Sequence, residues 1–250
     1  MIKLMGGRYK ARLADTADEI RSCQRLRFLA FRSARGLGSD TGLGLDQDEF
    51  DVHCRHFMVE DTRSSDLVCA FRMMPLNNGT EISRSYSAKY YDLKSLRDYP
   101  GKMVEMGRFC MHPDVKDPSV IRIAWSAMTK FVEDEKVELL FGCSSFHGTD
   151  ADQYMDAFAL LKAKHLAPAR WLPRVKAPNV FNFARLIGLR RPNMKLAVGR
   201  MPPLLRTYLV MGGWVSDHAV IDKDLNTLHV FTGVEIARVP AKRARILRGS

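Results

Sequence analysis

The alternation of apolar and polar residues sorts this chain into short extended runs and amphipathic helices. Residues 9–13 (YKARL) repeat with a period of two, as a half-buried strand does. Asp15 or Thr16 then stands where a helix cap is needed, and Ile20, Cys23, Leu26 and Phe31 recur at helical spacing, which predicts a helix through about Ala34. Gly36, Gly38, Gly42 and Gly44 break it into a loop. Residues 56–59 and 67–74 read as neighbouring strands joined by a turn over 61–65. A third extended run covers 103–111, and Pro118 or Ser119 opens an amphipathic helix through about Lys136. Residues 139–143 form a short apolar strand, 151–163 a further helix and 228–234 a late strand. This order predicts a mixed α/β (α+β) fold, with strands mostly in the first half and helices flanking a central pair.

At 250 residues and 46% apolar composition the chain can bury a large core, and no repeat or linker divides it, so residues 1–250 read as a single domain. No window reaches the roughly 18 to 20 apolar residues of a membrane span. Residues 1–8 are too short for a signal peptide, so a cytoplasmic protein is expected. Five scattered cysteines, none in a CxxC pair, suggest neither disulfides nor structural zinc. His53 and His56 diverge on a strand, so no metal site is expected there.

The net charge of +11 changes the picture through its placement. Residues 157–216 contain no Asp or Glu but eleven Lys and Arg, while the remainder is nearly balanced. Such a field implies an acidic partner: a carrier protein, an anionic membrane surface or nucleic acid. A solvated basic face with no partner is the plain alternative. No nucleic-acid recognition motif accompanies the segment, and nucleic acid is not expected.

Four patterns carry candidate chemistry. Arg27 and Phe31 lie one turn apart on a helix face. Asp46, Asp48, Glu49 and Asp51 surround Phe50 in an acidic loop, or in what is only a solvated turn. Arg72 sits in an apolar strand, where a charge is costly unless paired. Glu105 and Arg108 stand three apart in an extended run, on opposite faces by strict alternation, unless a bulge at Gly107 brings them together. A simple Glu105–Arg108 ion pair is the plain reading. The run Cys143-Ser144-Ser145-Phe146-His147 offers a nucleophile with histidine help, against packing at a strand end for Cys143 and a polar loop or helix cap for His147 and Asp150.

Arg27-xxx-Phe31, Asp46-x-Asp48-x-Phe50-Asp51, Arg72 and Glu105-x-x-Arg108 together resemble the signature of the acyl-homoserine-lactone synthases, although no Trp follows Phe31 as it usually does there. A longer resemblance joins residues 105–114 (EMGRFCMHPD), 138–150 (ELLFGCSSFHGTD) and 202–224 to the ornithine lipid N-acyltransferases. Both resemblances imply a GNAT acyltransferase fold, a mixed central sheet with splayed central strands flanked by helices. The second implies transfer of a 3-hydroxyacyl group from acyl carrier protein to the α-amine of L-ornithine. It also places Cys143, Ser144, Ser145, His147 and Asp150 by the acyl channel, and oxyanion-binding amides near Phe109 and Cys110.

The expected roles follow from charge. An α-amine with a pKa of about 8 or above must lose a proton before it attacks a thioester, and Glu105 is the candidate base, with Arg108 beside it. Arg27, Arg72 or Arg108 can hold the amino acid's carboxylate, and Asp48 or Asp51 its side-chain ammonium, with Phe31 beside them. Coenzyme A-dependent GNAT enzymes carry a Gly-rich loop for the pyrophosphate. Here residues 113–124 read PDVKDPSVIRIA, without a glycine. The donor is therefore expected to be the phosphopantetheine arm of acyl carrier protein, docked on the basic segment. That segment can instead face anionic lipid, which would make the protein peripheral on the inner face of the cytoplasmic membrane. The alternatives are an acyl-homoserine-lactone synthase-like reaction or another acceptor such as lysine, one methylene longer.

Overall fold

Arg12 ties the first elements of the chain together. In the computed structural model, which describes residues 2–33, 36 and 43–247, its guanidinium makes a two-pronged contact with Glu60 (2.8 and 2.8 Å) and reaches Glu19 (2.6 Å). The chain runs β1 (Lys3–Gly6), β2 (Tyr9–Leu13), α1 (Ala17–Phe31), β3 (Arg55–Asp61), β4 (Leu67–Leu76), β5 (Tyr91–Asp92) and β6 (Met103–Met111). It continues through α2 (Pro118–Asp134), β7 (Leu139–His147), α3 (Met155–Lys164), β8 (Arg174–Val175), β9 (Val180–Phe181), α4 (Phe183–Leu186), α5 (Met194–Arg200) and α6 (Pro203–Val210). Strands β10 (Trp214–Asp222) and β11 (Thr227–Glu235) and helix α7 (Ala241–Leu247) complete it.

These elements form two compact units. The first comprises Met1–Pro75, Val104–Val137 and Ala241–Ser250, with strand order β1-β2-β3-β4-β6. Helix α1 begins in a capping box: the Thr16 side chain accepts from the Glu19 amide, while the Glu19 carboxylate accepts from the Thr16 amide. Helix α2 starts at Pro118 behind Asp117, whose carboxylate accepts from the Ser119 amide (2.9 Å). Its buried residues Val120, Ala124, Ala127, Met128 and Phe131 follow the helical repeat. Alternation along the strands divides this unit into two faces. Met58, Ala70 and Cys110 pack with Cys23 and Leu26 of α1, whereas Phe57 stacks on Phe71 (4.7 Å) and meets Phe131 of α2 edge-on (5.5 Å).

The second unit comprises Leu76–Met103 and Glu138–Pro240, with strand order β7-β11-β10-β9 and a separate β5–β8 pair. Strands β7 and β11 pair antiparallel over nine residues, from Thr227 opposite His147 to Glu235 opposite Leu139. Phe146, Phe158, Leu161, Phe183, Ala197, Leu205 and Val230 share its core. The basic segment lies mostly in this unit's helices α3 to α6 and the turns between them.

Several expectations change here. Helix α1 ends at Phe31, and Ala34, Gly38 and Gly42 lie outside the described residues. Strand β7 continues to His147, so Ser144, Ser145 and His147 sit on a strand rather than in a loop, because pairing with β11 overrides their weak strand propensity. Residues 151–163 divide into a short 3-10 turn (Ala151–Tyr154) and α3. Strands are spread over both halves of the chain, since β10 belongs to the sheet despite the Ser-Asp-His interruption in its apolar pattern. Removing the cap that starts α1 tests the fold locally: Thr16→Ala should lower stability by about 1 kcal/mol in chemical denaturation.

Candidate active site

Arg27, Asp46, Asp48, Asp51, Arg72 and Arg108 meet in a charged cluster inside the first unit. Asp51 is its centre. Helix α1 projects Gln24 and Arg27 one turn apart in register, so both reach the loop beneath: Gln24 Nε2 donates to Asp51 Oδ2 (2.9 Å) and Arg27 Nη1 to Asp51 Oδ1 (2.7 Å). Arg27 Nε donates to Asp46 Oδ2 (2.8 Å). From β4, Arg72 donates to both oxygens of Asp48 (2.5 and 2.7 Å) and also to Asp51 Oδ1. From β6, Arg108 Nη2 donates to Asp48 Oδ2 (3.3 Å), and its Nε lies 3.0 Å from Asp46 Oδ2. Three guanidiniums thus face three carboxylates, and the expensive charge of Arg72 in an apolar strand is matched.

The loop holds itself in shape. Asp48 Oδ1 accepts from the Phe50 amide (3.0 Å), the Asp51 amide donates to the Asp48 carbonyl (3.2 Å), and the His56 ring bonds the Asp51 carbonyl (3.0 Å). It is a built loop rather than a solvated turn, because Asp46, Asp48 and Asp51 point into the protein. Burial pushes the Asp51 carboxyl up, but Arg27 and Arg72 outweigh it and hold the group at about 2. Asp48 is likewise lowered: burial opposes ionisation, and Arg72 and Arg108 prevail. Burial lowers His56, which stays neutral at pH 7.

Within the cluster, accessibility is graded. The Arg27 side chain is 1% exposed and those of Asp48 and Arg108 are 14% and 13%, so a small molecule meets the Asp48–Arg108 edge first. Arg27 Nη2 is buried and has no acceptor among the described residues. Such an orphan donor calls for an internal water or a ligand oxygen. Arg108 adopts φ +55°, the left-handed region that disfavours a side chain, which costs on the order of 1 to 3 kcal/mol. The backbone distortion expected at Gly107 therefore falls on Arg108. Glu105 is buried on the same strand, close enough to Cys54 for its charge to act on that thiol, which burial pushes up to about 12.

The remaining candidates are placed as follows. Phe31 is half-buried against the Cys23, Leu26 and Cys110 cluster. Phe109 stacks on Phe71 (5.5 Å), and Cys110 is buried, its thiol raised to about 12 by burial. In the second unit, Cys143 Sγ lies 3.4 Å from Ser87 Oγ, and buried Ser144 accepts from Thr232 (3.0 Å). Ser145 and His147 point outward, and Asp150 caps the turn at Asp152 (3.0 Å).

Sequence reasoning missed a buried polar group in this unit. Tyr91 hydroxyl contacts His229 Nδ1 (3.1 Å) and donates to the His229 carbonyl (2.7 Å), and His218 packs on the Tyr91 ring (5.2 Å). The Nε2 atoms of both histidines are buried without an acceptor or donor among the described residues. Nothing along the chain marks them, because His229 falls in an apolar strand pattern and His218 in the Ser-Asp-His interruption of another.

Comparison with known proteins adds a family relationship to this geometry. An acetyltransferase (GNAT) domain family matches residues 26–126, from the residue before Arg27 into α2. An L-ornithine N(alpha)-acyltransferase of Rhodobacter capsulatus is 34% identical over 230 residues, 89% of this chain and 88% of that protein. One from Brucella abortus is 28% identical over 246 residues, 94% and 87% of the two chains. Among solved structures, the CoA-dependent acyl-homoserine lactone synthase BjaI superposes with a TM-score of 0.50 at 13% identity, covering 93% of this chain and 82% of that one. The chain has the α/β fold of the GNAT acyltransferases.

Two outcomes test the charge assignments. Asp51→Asn leaves Arg27 and Arg72 without their shared anion and should cost about 3 to 5 kcal/mol in denaturant unfolding. The second concerns His229, which burial and His218 push down to about 3 from an ordinary 6.5. The unfolded chain then binds the proton that the folded one refuses, so this contribution is whole above pH 6.5 and is lost as pH falls toward 3. His229→Gln should remove roughly 1.4 kcal/mol per pH unit from the slope of stability against pH in that window.

Proposed function

The chain belongs to the L-ornithine N(alpha)-acyltransferase family, and on that footing we propose that it moves a 3-hydroxyacyl group from acyl carrier protein to the α-amine of L-ornithine, giving lyso-ornithine lipid. The relationship to the Rhodobacter capsulatus protein, which extends over 89% of this chain, is the observation that carries the reaction class. The chain is an N-acyltransferase with a GNAT domain.

The chemistry asks little of the protein beyond placement and a proton acceptor. The thioester is already activated, so the free amine attacks its carbonyl carbon directly, a C–N bond forms, and collapse breaks the C–S bond. Glu105 takes the ammonium proton through a water, and the second proton shed by the attacking nitrogen passes to the pantetheine sulfur, which leaves as a thiol. Support for Glu105 is its burial on β6, three residues before Arg108, whose left-handed backbone aims a cation at the acidic loop. Arg108 and Asp48, at the accessible edge of the ion-pair cluster, meet the carboxylate and ammonium of ornithine, while Arg27, Asp51 and Arg72 hold them in position. Cys143 then has no covalent role.

The start of α2 supports a carrier-protein donor. A pyrophosphate needs free amides at a helix N-terminus. Here Pro118 supplies none, and the Asp117 carboxylate already accepts from Ser119 and presents negative charge to that end. An acidic carrier protein presents its phosphopantetheine arm without needing that site.

Purified protein mixed with 3-hydroxyacyl carrier protein and a panel of amino acids should release thiol with ornithine, yielding the N-acyl product by mass. No thiol release with any amino acid, on an active carrier, overturns the reading. A lactone formed from S-adenosylmethionine would replace it with the synthase reaction. Glu105→Gln should lower kcat about 10²- to 10⁴-fold with little change in thermal stability.

A further inference from the structure

The acid-free segment carries more than charge. Of the eleven large apolar side chains left exposed among the described residues, eight fall between Leu166 and Val210. Five of these, Leu186, Leu189, Met194, Leu196 and Val198, stand within thirteen residues of one another. Leu186 is 63% exposed, Met194 48%, and Leu189 is as exposed as in an extended peptide at 101%. They alternate with Arg185, Arg190, Arg191 and Lys195, all exposed.

This patch is not a loose loop. Phe183, Ile187 and Ala197 anchor it in the core of the second unit. Asp156 holds it from beneath, accepting from the Arg190 guanidinium (3.2 Å) and the Asn193 amide (3.0 Å), and Lys162 Nζ donates to the Gly188 carbonyl (2.6 Å). Arg185, Arg191 and Lys195 make no ion pair or side-chain hydrogen bond among the described residues. The fold thus presents leucines and unneutralised cations together on a braced surface, with no carboxylate in residues 157–216 to offset them.

We propose that residues 185–198 dock the protein on an anionic lipid bilayer, with Leu189 and Met194 entering the boundary between headgroups and acyl chains and Arg185, Arg191 and Lys195 on the lipid phosphates. The mixture of the two chemistries selects this occupant. An acidic helix of a carrier protein pairs with the cations but leaves scattered leucines in water. A second copy of the chain brings like charge against like charge. A bilayer takes both at once, without needing a groove of complementary shape. The inference goes beyond the acyl-transfer reading and does not depend on it.

The test is sedimentation of the full chain with vesicles of phosphatidylcholine alone or mixed with phosphatidylglycerol, at low and high salt. Wild type should partition to the phosphatidylglycerol vesicles and release in salt. Arg191→Ala with Lys195→Ala should weaken binding about 25-fold, near fivefold for each cation. Leu189→Ser with Met194→Ser should weaken it about tenfold and leave the salt dependence intact. Both variants should keep wild-type unfolding midpoints and, without vesicles, wild-type thiol release from the acyl carrier donor. Absence of vesicle binding, or binding indifferent to the apolar pair, overturns the proposal. So does a raised KM for the acyl carrier donor with vesicle binding unchanged, which would make the patch a protein-docking surface instead.

Discussion

Two arginines that are almost wholly shielded from water set the terms for the first unit. Arg27 leaves α1 and Arg72 leaves β4, and each would cost several kcal/mol to bury alone. Asp51 answers both, while Asp46 and Asp48 complete one arginine each. The acidic loop is therefore where it is because two cations on two different elements need it there. Pairs of this kind contribute little net stability over an apolar filling of equal volume. What they supply is position: one helix, one strand and one loop are locked by hydrogen bonds that tolerate little displacement.

The edge of that lattice is where chemistry can begin. Asp48 and Arg108 are the least buried members, so their charges can be shared with a zwitterionic molecule, whereas the inner pairs are committed. Arg108 reaches the loop through a strained backbone, and the lattice is what keeps it there. On the opposite face of the same strands the ring stack Phe57, Phe71 and Phe109 is purely apolar. One sheet thus carries a rigid hydrophobic side that fixes the strands and a polar side that uses the fixity.

Much of this was legible beforehand. The strand over 103–111 and the start of α2 lie where periodicity and capping residues put them, since both are local effects. Arg72 in an apolar run announced a buried partner, but the sequence did not say that the acidic loop supplies it. The long runs at 105–114 and 138–150 pointed to the family. Less visible were β10 and the short helices α4 to α6, whose apolar positions are filled by contacts between distant segments rather than by local pattern. Tyr91 and His229, more than a hundred residues apart, gave no sign of meeting.

By itself, then, the amino-acid order determined the helix caps, the alternating faces of the strands, the concentration of positive charge and the family relationship. Each follows from neighbours along the chain or from residue identity alone. Tertiary structure decided which aspartate serves which arginine, that the backbone bends at Arg108 rather than Gly107, and which apolar side chains of the basic segment stay in water. Those outcomes depend on burial and on distances between remote residues, quantities that come into being only when the chain closes on itself.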